Sequence, residues 1–240
     1  MQFWKVLTPL GESLILMPAV GVLAAWLLPR DRGSTLVWRW LLAVGAAALI
    51  TACSKIAFMG WGLGSAQWNF TGISGHTMFA AAVYPLLFRT VVSAAPPRYH
   101  WPSIIAGFVL AALIGISRVR IGAHSWSEVV AGYGLGGLAS LLVLGLAYVP
   151  PARPPRWLLA GVALWLGVMM VGAPRSPAHG WITQVALVLS GRQTPYTRSD
   201  LFRPSPQTGA TAARRFSWHQ PVSAIGVVQR PGSAAQRPGS

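Results

Sequence analysis

Long apolar stretches alternate with short polar segments along most of the chain. Six of these stretches approach the roughly 20 apolar residues that a helix needs to cross a bilayer. They run over residues 12–28, 36–57, 76–95, 101–117, 126–149 and 157–173. The polar segments between them are too short to supply the polar surface of a soluble helical bundle. The pattern therefore predicts an all-α integral membrane bundle of about six transmembrane helices.

The two ends of the chain differ from this central region. Residues 1–11 form an amphipathic segment that we expect to lie on the membrane surface. Residues 12–173 are the predicted membrane domain. Residues 174–203 include the apolar run 181–191 and are predicted to be an interfacial segment. Over residues 204–240, the content of Pro, Ser, Gly, Gln and Arg predicts a disordered basic tail.

Composition and charge narrow the class of protein further. The chain has 19 Lys and Arg but only 4 Asp and Glu, for a formal net charge of +15, and 53% of its residues are hydrophobic. So few acids argue against a two-carboxylate site of the glycosidase kind. The single cysteine, Cys53, excludes a disulfide scaffold. In so apolar a chain, the positive charge indicates the bilayer's anionic headgroups or a phosphorylated substrate as partners, and no nucleic acid.

The distribution of arginine predicts which side of the membrane each loop faces. With six alternating helices, loops 29–35, 90–100 and 150–156 share one side, and most arginines near helix ends lie there. The positive-inside rule assigns this side to the cytoplasm. Loops 58–75 and 118–125 then face outward, which in a bacterial inner membrane is the periplasm.

Polar residues gather at the helix ends of this predicted outer side, where a functional site would justify their cost in a membrane. They belong to the ends of four helices: Lys55; Ser74, Gly75 and His76; Ser117 and Arg118; His124 and Glu128. Because these ends share one face of the bundle, we expect them to form one pocket.

Several of these groups suit the binding of a phosphate. Ser74 is a suitable N-cap for the third helix, and Gly75 permits close backbone approach, so the free N–H groups there would form an anion site. Arg118 can grip phosphate oxygens with its forked guanidinium, and Lys55 adds a point charge. Two neighbouring residues are additional candidates: Arg120 and Ser117.

The remaining groups suit the transfer of a phosphate. His124 and Glu128 are four residues apart, so on a helix they share a face. The carboxylate can hold one imidazole nitrogen and leave the other free to attack. His76 is available as a general acid. The other histidines have no partner pattern and are interpreted as solvated: His100, His179 and His219.

These residues resemble the signature of a known family. The type 2 phosphatidic acid phosphatase superfamily, which includes the vanadium haloperoxidases, has a Lys-x6-Arg-Pro, a Pro-Ser-Gly-His and a Ser-Arg-x5-His-x3-Asp motif. The chain is similar to it in Ser74-Gly75-His76 and in Ser117-Arg118-x5-His124-x3-Glu128. The resemblance spans about residues 51–130, and the helix arrangement extends it to about 12–173.

The resemblance implies a membrane phosphatase that needs no metal or cofactor. In the family, the residue matching His124 attacks phosphorus to form a phosphohistidine, the acid matching Glu128 orients it, and the residue matching His76 protonates the leaving group. The phosphoryl oxygens are held by the residues matching Lys55, Ser74, Gly75 and Arg118. The implied substrates are lipid phosphates or pyrophosphates, of the phosphatidic acid, phosphatidylglycerophosphate or undecaprenyl pyrophosphate class.

The chain departs from the signature at three places. Gly62 and Leu63 stand where the family has Arg-Pro, Ile73 replaces the Pro before Ser-Gly-His, and Glu128 replaces the final Asp. Losing the arginine removes a cationic clamp on the phosphoryl group, for which Arg120 is a candidate replacement. Two alternatives therefore stay open: a catalytically degenerate membrane protein that binds lipid phosphate, and a lipid phosphotransferase.

Overall fold

Helices make up the regular secondary structure of the described part of the chain. The structure, a computed structural model, describes residues 2–30, 35–172 and 178–203. The helices are α1 (Gln2–Leu7), α2 (Ser13–Leu27), α3 (Leu36–Trp61), α4 (Gly75–Val91), α5 (His100–Arg120), α6 (Trp126–Leu146), α7 (Arg156–Gly172), α8 (Ala178–Ser190) and α9 (Arg198–Leu201), with 3-10 turns at Thr8–Gly11 and Pro97–Tyr99. Strand-like pairing within these ranges is one isolated bridge between Ser65 and Phe70. The predicted all-α class is confirmed.

Three helical stretches of the described residues are long and apolar enough to cross a membrane. They are Leu36–Trp61, Pro97–Arg120 and Trp126–Leu146. The pair Gln2–Gly11 and Ser13–Leu27, bent by 45° at the break between them, adds a fourth if it is one broken span. The protein is therefore a membrane protein by the length and composition of its helices.

The predicted count of about six spans is not confirmed by these criteria. A helix lies in each of the six predicted stretches. However, α4 and α7 have 17 residues each. A straight helix of that length is at the lower limit for about 30 Å of hydrocarbon.

Helix α4 lies at the centre of the bundle. It makes its most extensive contacts with α5 on one side and α6 on the other, and it also contacts α2 and α3. Nearly all of its middle, from Met78 to Leu86, is buried. Because neighbouring helices surround α4, its sequence is apolar on every face, unlike that of a surface helix.

Glycines on α6 let that helix approach the backbone of α4 closely. A Cβ added at Gly132 would lie 2.6 Å from the Ser74 carbonyl oxygen, and one at Gly136 would lie 2.1 Å from the Met78 carbonyl oxygen. Small residues at such contacts are typical of membrane helix pairs. The backbone N–H of Ser74 also donates to the Glu128 carbonyl oxygen at 3.0 Å. The first turn of α4 is therefore held against the first turn of α6.

The C-terminal part of the described chain packs on the end of α3. Phe58 and Met59 of α3 form a small apolar cluster with Ala186 of α8. The backbone N–H of Tyr196 donates to the Met59 carbonyl oxygen at 2.9 Å. The predicted interfacial segment therefore contains a helix that contacts the bundle. The tail predicted for residues 204–240 lies outside the described residues.

The substitution Gly136→Ala should destabilise the bundle, whereas Gly134→Ala on the same helix should not. A methyl group at position 136 would overlap the Met78 carbonyl, while one at position 134 meets nothing within 4 Å. Overpacking costs about 1–3 kcal/mol, and an exposed helical Gly→Ala change is neutral or stabilising by up to about 1 kcal/mol. Thermal unfolding of both variants in detergent measures the difference. Equal unfolding midpoints for Gly136→Ala and wild type would contradict this packing.

Candidate active site

The ends of four helices meet around two cavities of about 640 and 550 Å³. Helices α3 and α5 contribute their C-terminal ends, and α4 and α6 contribute their N-terminal ends. Four side chains line both cavities: Lys55, His76, Arg118 and His179. His124 lines the smaller cavity. The structure thus brings the predicted cationic and imidazole groups together.

His124 and Glu128 form a hydrogen-bonded pair beside the smaller cavity. His124 Nδ1 lies 2.6 Å from Glu128 Oε2. The loop that carries His124 turns at Gly122, whose φ is 74°, and the N–H groups of Ala123 and His124 donate to the Arg118 carbonyl at 3.0 and 3.2 Å. With the Nδ1 proton directed at the carboxylate, the lone pair is on Nε2.

The Glu128 carboxylate is fully buried, with 0% of its side chain exposed. Thr71 donates to Oε1 from its backbone N–H at 2.8 Å and from its hydroxyl at 2.6 Å. The backbone N–H of Ser125 donates to Oε2 at 3.2 Å, as part of a capping box at the start of α6. These bonds fix the carboxylate in the orientation that holds His124.

Arg198 is a further partner of Glu128 that the sequence analysis did not assign. Its Nη2 lies 2.8 Å from each carboxylate oxygen and 3.2 Å from the Thr71 hydroxyl. Its Nη1 donates to the Asn69 carbonyl at 3.0 Å. Arg198 lies 70 residues after Glu128, in a segment interpreted as interfacial. No local pattern connects the two residues.

Lys55 is held close to the start of α4. Gly72, with a φ of 143°, lies so close that a Cβ there would be 2.9 Å from Lys55 Cγ. Lys55 Nζ is 3.7 Å from the position that a Cβ of Gly75 would occupy. Both glycines therefore leave room for the lysine. Its ammonium lies at a helix N-terminus, where positive charges add to an anion-binding site.

Ser74 is at the N-cap position of α4, but its side chain does not cap the helix. Its hydroxyl instead lies 3.0 Å from the Thr77 hydroxyl. The Arg118 guanidinium lines both cavities, and within the described residues its buried Nε has no hydrogen-bond partner. This N–H and those of the first turn of α4 are suitable donors for an anion.

His76 is paired with an acid that the sequence analysis also left without a role. His76 Nε2 lies 2.8 Å from Glu12 Oε2, and both side chains are mostly buried. Glu12 lies between the 3-10 turn and α2, where the helical pair bends. The signal that could have identified Glu12 is an acid at the start of an apolar stretch, since such residues are costly in membranes.

A model of the PAP2 superfamily matches residues 50–152. This region of the chain belongs to the PAP2 superfamily. This confirms the resemblance on which the sequence analysis relied, and the protein is a membrane protein of the PAP2 lipid-phosphatase type. The matched region contains Lys55, His76, Arg118, His124 and Glu128.

Two curated proteins are similar in sequence. The chain is 34% identical over 204 residues, covering 83% of this chain and 98% of the relative, to the "Uncharacterized 22.5 kDa protein in cps region" of Klebsiella pneumoniae. It is 42% identical over 80 residues, covering 32% of this chain and 39% of the relative, to phosphatidylglycerophosphatase B of Bacillus subtilis (strain 168).

One solved structure is also similar. It is the crystal structure of the first transmembrane PAP2 type phosphatidylglycerolphosphate phosphatase from Bacillus subtilis. The sequence identity is 28% and the TM-score is 0.49. The comparison covers 60% of this chain and 74% of the other.

The position of the missing PAP2 arginine is covered by an aromatic ring. Gly62 ends α3 with a φ of 71°, and a Cβ there would lie 3.3 Å from the ring of Tyr196. Arg120, the candidate replacement, lies with its guanidinium 6.0 Å from the centre of the Trp4 ring and lines neither of the two cavities. The role of Arg120 in the site stays a prediction, and the geometry does not support it.

Ser117 lines neither of the two cavities, and its hydroxyl is engaged by protein groups. It lies 2.7 Å from the Thr8 hydroxyl and donates to the Ile114 carbonyl at 2.6 Å. This agrees with a local structural role within the PAP2 motif. His179, interpreted from sequence as solvated, is exposed but lines both cavities. Among the described residues, no group of three or more His, Cys, Asp or Glu could hold a metal ion.

Burial lowers the pKa of His124 below its ordinary value of 6.5. The hydrogen bond and the negative charge of Glu128 oppose this shift, and the charges of Lys55 and Arg118 add to it. Because the pKa is lowered, the imidazole is neutral at neutral pH, which is the form a nucleophile requires.

We expect the pKa of His124 to fall further in Glu128→Gln. The substitution removes the negative charge that favours the protonated imidazole. The measurement is a pH titration of the histidine signals by NMR in detergent, with His124 assigned through His124→Ala. A pKa of His124 above 6.5 in wild type, or one that rises in Glu128→Gln, would contradict this account of the pair.

Proposed function

We propose that the protein is a phosphatase that hydrolyses a lipid phosphate or pyrophosphate through a phosphohistidine intermediate. The observation that carries this proposal is the His124–Glu128 pair, with its 2.6 Å hydrogen bond, beside a cavity that Lys55 and Arg118 also line. An oriented imidazole next to two cations is the arrangement that phosphoryl transfer to nitrogen requires.

The reaction proceeds in two steps at His124. Its Nε2 attacks phosphorus, the bond from phosphorus to the leaving oxygen breaks, and His76 donates a proton to that oxygen. A water molecule then attacks the phosphohistidine while His76 accepts a proton from it. The phosphorus–nitrogen bond breaks, and inorganic phosphate leaves with the enzyme restored. The scheme requires no metal or cofactor.

The phosphate is held by groups from three helices. Lys55 and Arg118 provide positive charge, and the N–H groups at the start of α4 provide neutral donors. Ser74 and Gly75 belong to that turn, and the absence of a side-chain cap on it leaves those donors to the substrate. As the negative charge redistributes in the transition state, these fixed donors need no reorganisation.

Glu12 holds His76 as Glu128 holds His124. The carboxylate lies 2.8 Å from Nε2, so Nδ1 is the nitrogen that exchanges a proton with the leaving group. Each imidazole therefore has its own carboxylate, and the two perform opposite tasks. His124 acts unprotonated as the nucleophile, and His76 acts protonated as the acid.

The larger cavity suits the apolar part of the substrate. Beside Glu12 and His76, its walls include four apolar side chains: Ala48, Ala52, Phe79 and Ile182. An acyl or isoprenoid chain fits such walls, which supports phosphatidic acid, phosphatidylglycerophosphate and undecaprenyl pyrophosphate as substrate classes. The name of the Bacillus subtilis relative, phosphatidylglycerophosphatase B, supports the second of these.

The site is proposed to face the periplasm of a bacterial inner membrane. It lies at the ends where α3 and α5 finish and where α4 and α6 begin. The opposite helix ends carry Arg39 and Arg89, and the loops beyond them are the arginine-rich ones. By the positive-inside rule, those loops are cytoplasmic.

A second candidate function is binding of lipid phosphate without turnover. Gly62 favours it, because the arginine of the first PAP2 motif is absent there. A third reading keeps the chemistry but transfers the phosphoryl group to a second lipid instead of water. Dependence of phosphate release on an added lipid acceptor separates that reading from hydrolysis.

His124→Ala should abolish phosphate release, lowering kcat by about a thousandfold or more because the nucleophile is removed. Purified wild type and variant are compared on phosphatidic acid, phosphatidylglycerophosphate and undecaprenyl pyrophosphate in detergent with EDTA. His100→Ala is the matched control, since His100 bonds to the Ala95 carbonyl and lines neither of the two cavities. Equal release by wild type and His124→Ala would refute the mechanism, and binding without turnover on every substrate would favour the second candidate.

Replacement of His76 or Glu12 should slow the enzyme in a way that depends on the leaving group. Glu12→Gln and His76→Ala should lower kcat/KM on phosphatidic acid about 100-fold, a typical contribution of general acid catalysis. Both should change kcat/KM on p-nitrophenyl phosphate much less, because its leaving group needs no proton and kcat/KM reports only the steps up to formation of the phosphohistidine. The ratio of the two rates is measured for each variant. An equal loss on both substrates would show that the Glu12–His76 pair does not supply the proton.

A further inference from the structure

Within the C-terminal segment 192–202, residues 195–198 form one wall of the smaller cavity. Pro195, Tyr196, Thr197 and Arg198 line that cavity together with His124. The segment is attached to the end of α3 by the hydrogen bond from Tyr196 to Met59 and by Leu201, which packs against Phe58 and Met59. The whole segment lies outside residues 50–152, the region that the PAP2 model matches.

Both ends of the Arg198 guanidinium are occupied by protein groups. Nη2 contacts the two oxygens of Glu128 and the Thr71 hydroxyl, and Nη1 contacts the carbonyl oxygen and the side-chain oxygen of Asn69. Little of the fork is left to bind a phosphate directly. The geometry of Arg198 is that of a residue that fixes another residue.

We propose that Arg198 is a positioning residue, which holds the buried Glu128 carboxylate in place against His124. The proposal rests on the proposed function, because it assigns to Arg198 a role in orienting the nucleophile of that reaction. It extends the site beyond the PAP2 signature to a side chain from the C-terminal segment.

The charges around the cavities explain why Glu128 needs its own cation. Lys55 and Arg118 face the space where a phosphate would bind, and a bound dianion would engage both. A fully buried carboxylate left with only neutral donors is costly. Arg198 remains paired with Glu128 whether or not the phosphate is present, so the His124–Glu128 bond stays aligned through the cycle.

The absence of the first-motif arginine is consistent with this arrangement. Tyr196 covers Gly62, the position where that arginine would start. Arg198, two residues after Tyr196, brings a cation into the site from the C-terminal segment. The replacement is not equivalent, because the cation contacts the orienting carboxylate and not the phosphate space.

Several charged and titratable groups face His124 from the elements around it. They are Glu128 from α6, Arg198 from α9, Lys55 from α3, Arg118 from α5, His76 from α4 and His179 from α8. Removing Arg198 takes away one positive charge and leaves the Glu128 charge less compensated. Both changes favour the protonated imidazole. The expected effect on His124 is therefore opposite in sign to that of Glu128→Gln.

The test combines kinetics with a double-mutant cycle on the full chain. Arg198→Met should lower kcat about 10- to 100-fold, the usual effect of losing an orienting partner, and should leave KM within about threefold. In a Glu128→Gln background, Arg198→Met should have little further effect, because it acts through that carboxylate. Arg198→Lys, which keeps the charge without the fork, should restore part of kcat.

Arg192→Met is the matched control in the same segment. Arg192 lies over the Tyr196 ring, 4.0 Å from its centre, and lines neither of the two cavities, so kcat should be unchanged. Arg198→Gln replaces the methionine variant if that protein loses the wild-type unfolding transition. An unchanged kcat, a loss confined to KM, or independent effects of Arg198→Met and Glu128→Gln would overturn the proposal.

A titration of His124 by NMR separates this proposal from the proposed function. Arg198→Met should raise the pKa of His124, and Arg192→Met should not change it. If wild type releases no phosphate from any substrate but this shift is seen, the proposed function fails and the positioning role stands. If wild type is active and the pKa does not move, the positioning role fails.

Discussion

The arrangement of the site depends on one interaction, the solvation of a buried carboxylate by the protein. Glu128 is withdrawn completely from solvent, and a charge in that position is tolerated only with a full set of partners. Thr71, His124 and Ser125, and Arg198 supply them from three parts of the chain. The same bonds determine the path of the loop before α4, the start of α6 and the attachment of the C-terminal segment.

The close contact between α4 and α6 gives these partners a fixed frame. Gly132 and Gly136 bring the two backbones together, and the Ser74 N–H bonds to the carbonyl oxygen of Glu128. The N–H groups proposed to bind phosphate and the carboxylate that holds His124, the proposed nucleophile, therefore belong to one rigid unit. Holding reacting groups in place before the substrate arrives is a large part of what an enzyme contributes to rate.

The parts of the site that are local in sequence were predictable, and those formed by distant pairing were not. His124 lies in the loop just before α6 and Glu128 in its first turn, four residues later, with the capping residue Ser125 between them, so the sequence spacing was enough. Glu12 and Arg198 contact partners that are distant in sequence, and the periodicity of apolar and polar residues gives no information about such pairs. The missing side-chain cap on α4 was also not predictable. The Ser74 hydroxyl can bond either to a backbone N–H of the first turn or to the Thr77 hydroxyl, and the structure has the second.

The positions of the helices were predictable from the sequence, but the number of membrane spans was not. Apolar runs located the helices because burial in lipid leaves little choice of residue. They did not fix the number of spans, because α4 is short and surrounded by other helices. Arg120 illustrates a further limit. It is two residues from Arg118, but on a helix this spacing directs the side chain to another face, where it meets Trp4.

The engagement of Arg198 by Glu128 determines how much attraction remains for the product. Around the two cavities, each carboxylate has a partner: Arg198 and His124 for Glu128, and His76 for Glu12. Lys55 and Arg118 are then the cations directed at the phosphate space. Their two charges balance a dianion without surplus, so inorganic phosphate would depart from a site that is electrostatically even. An additional unpaired cation in the site would hold inorganic phosphate more tightly and slow its release after each turnover.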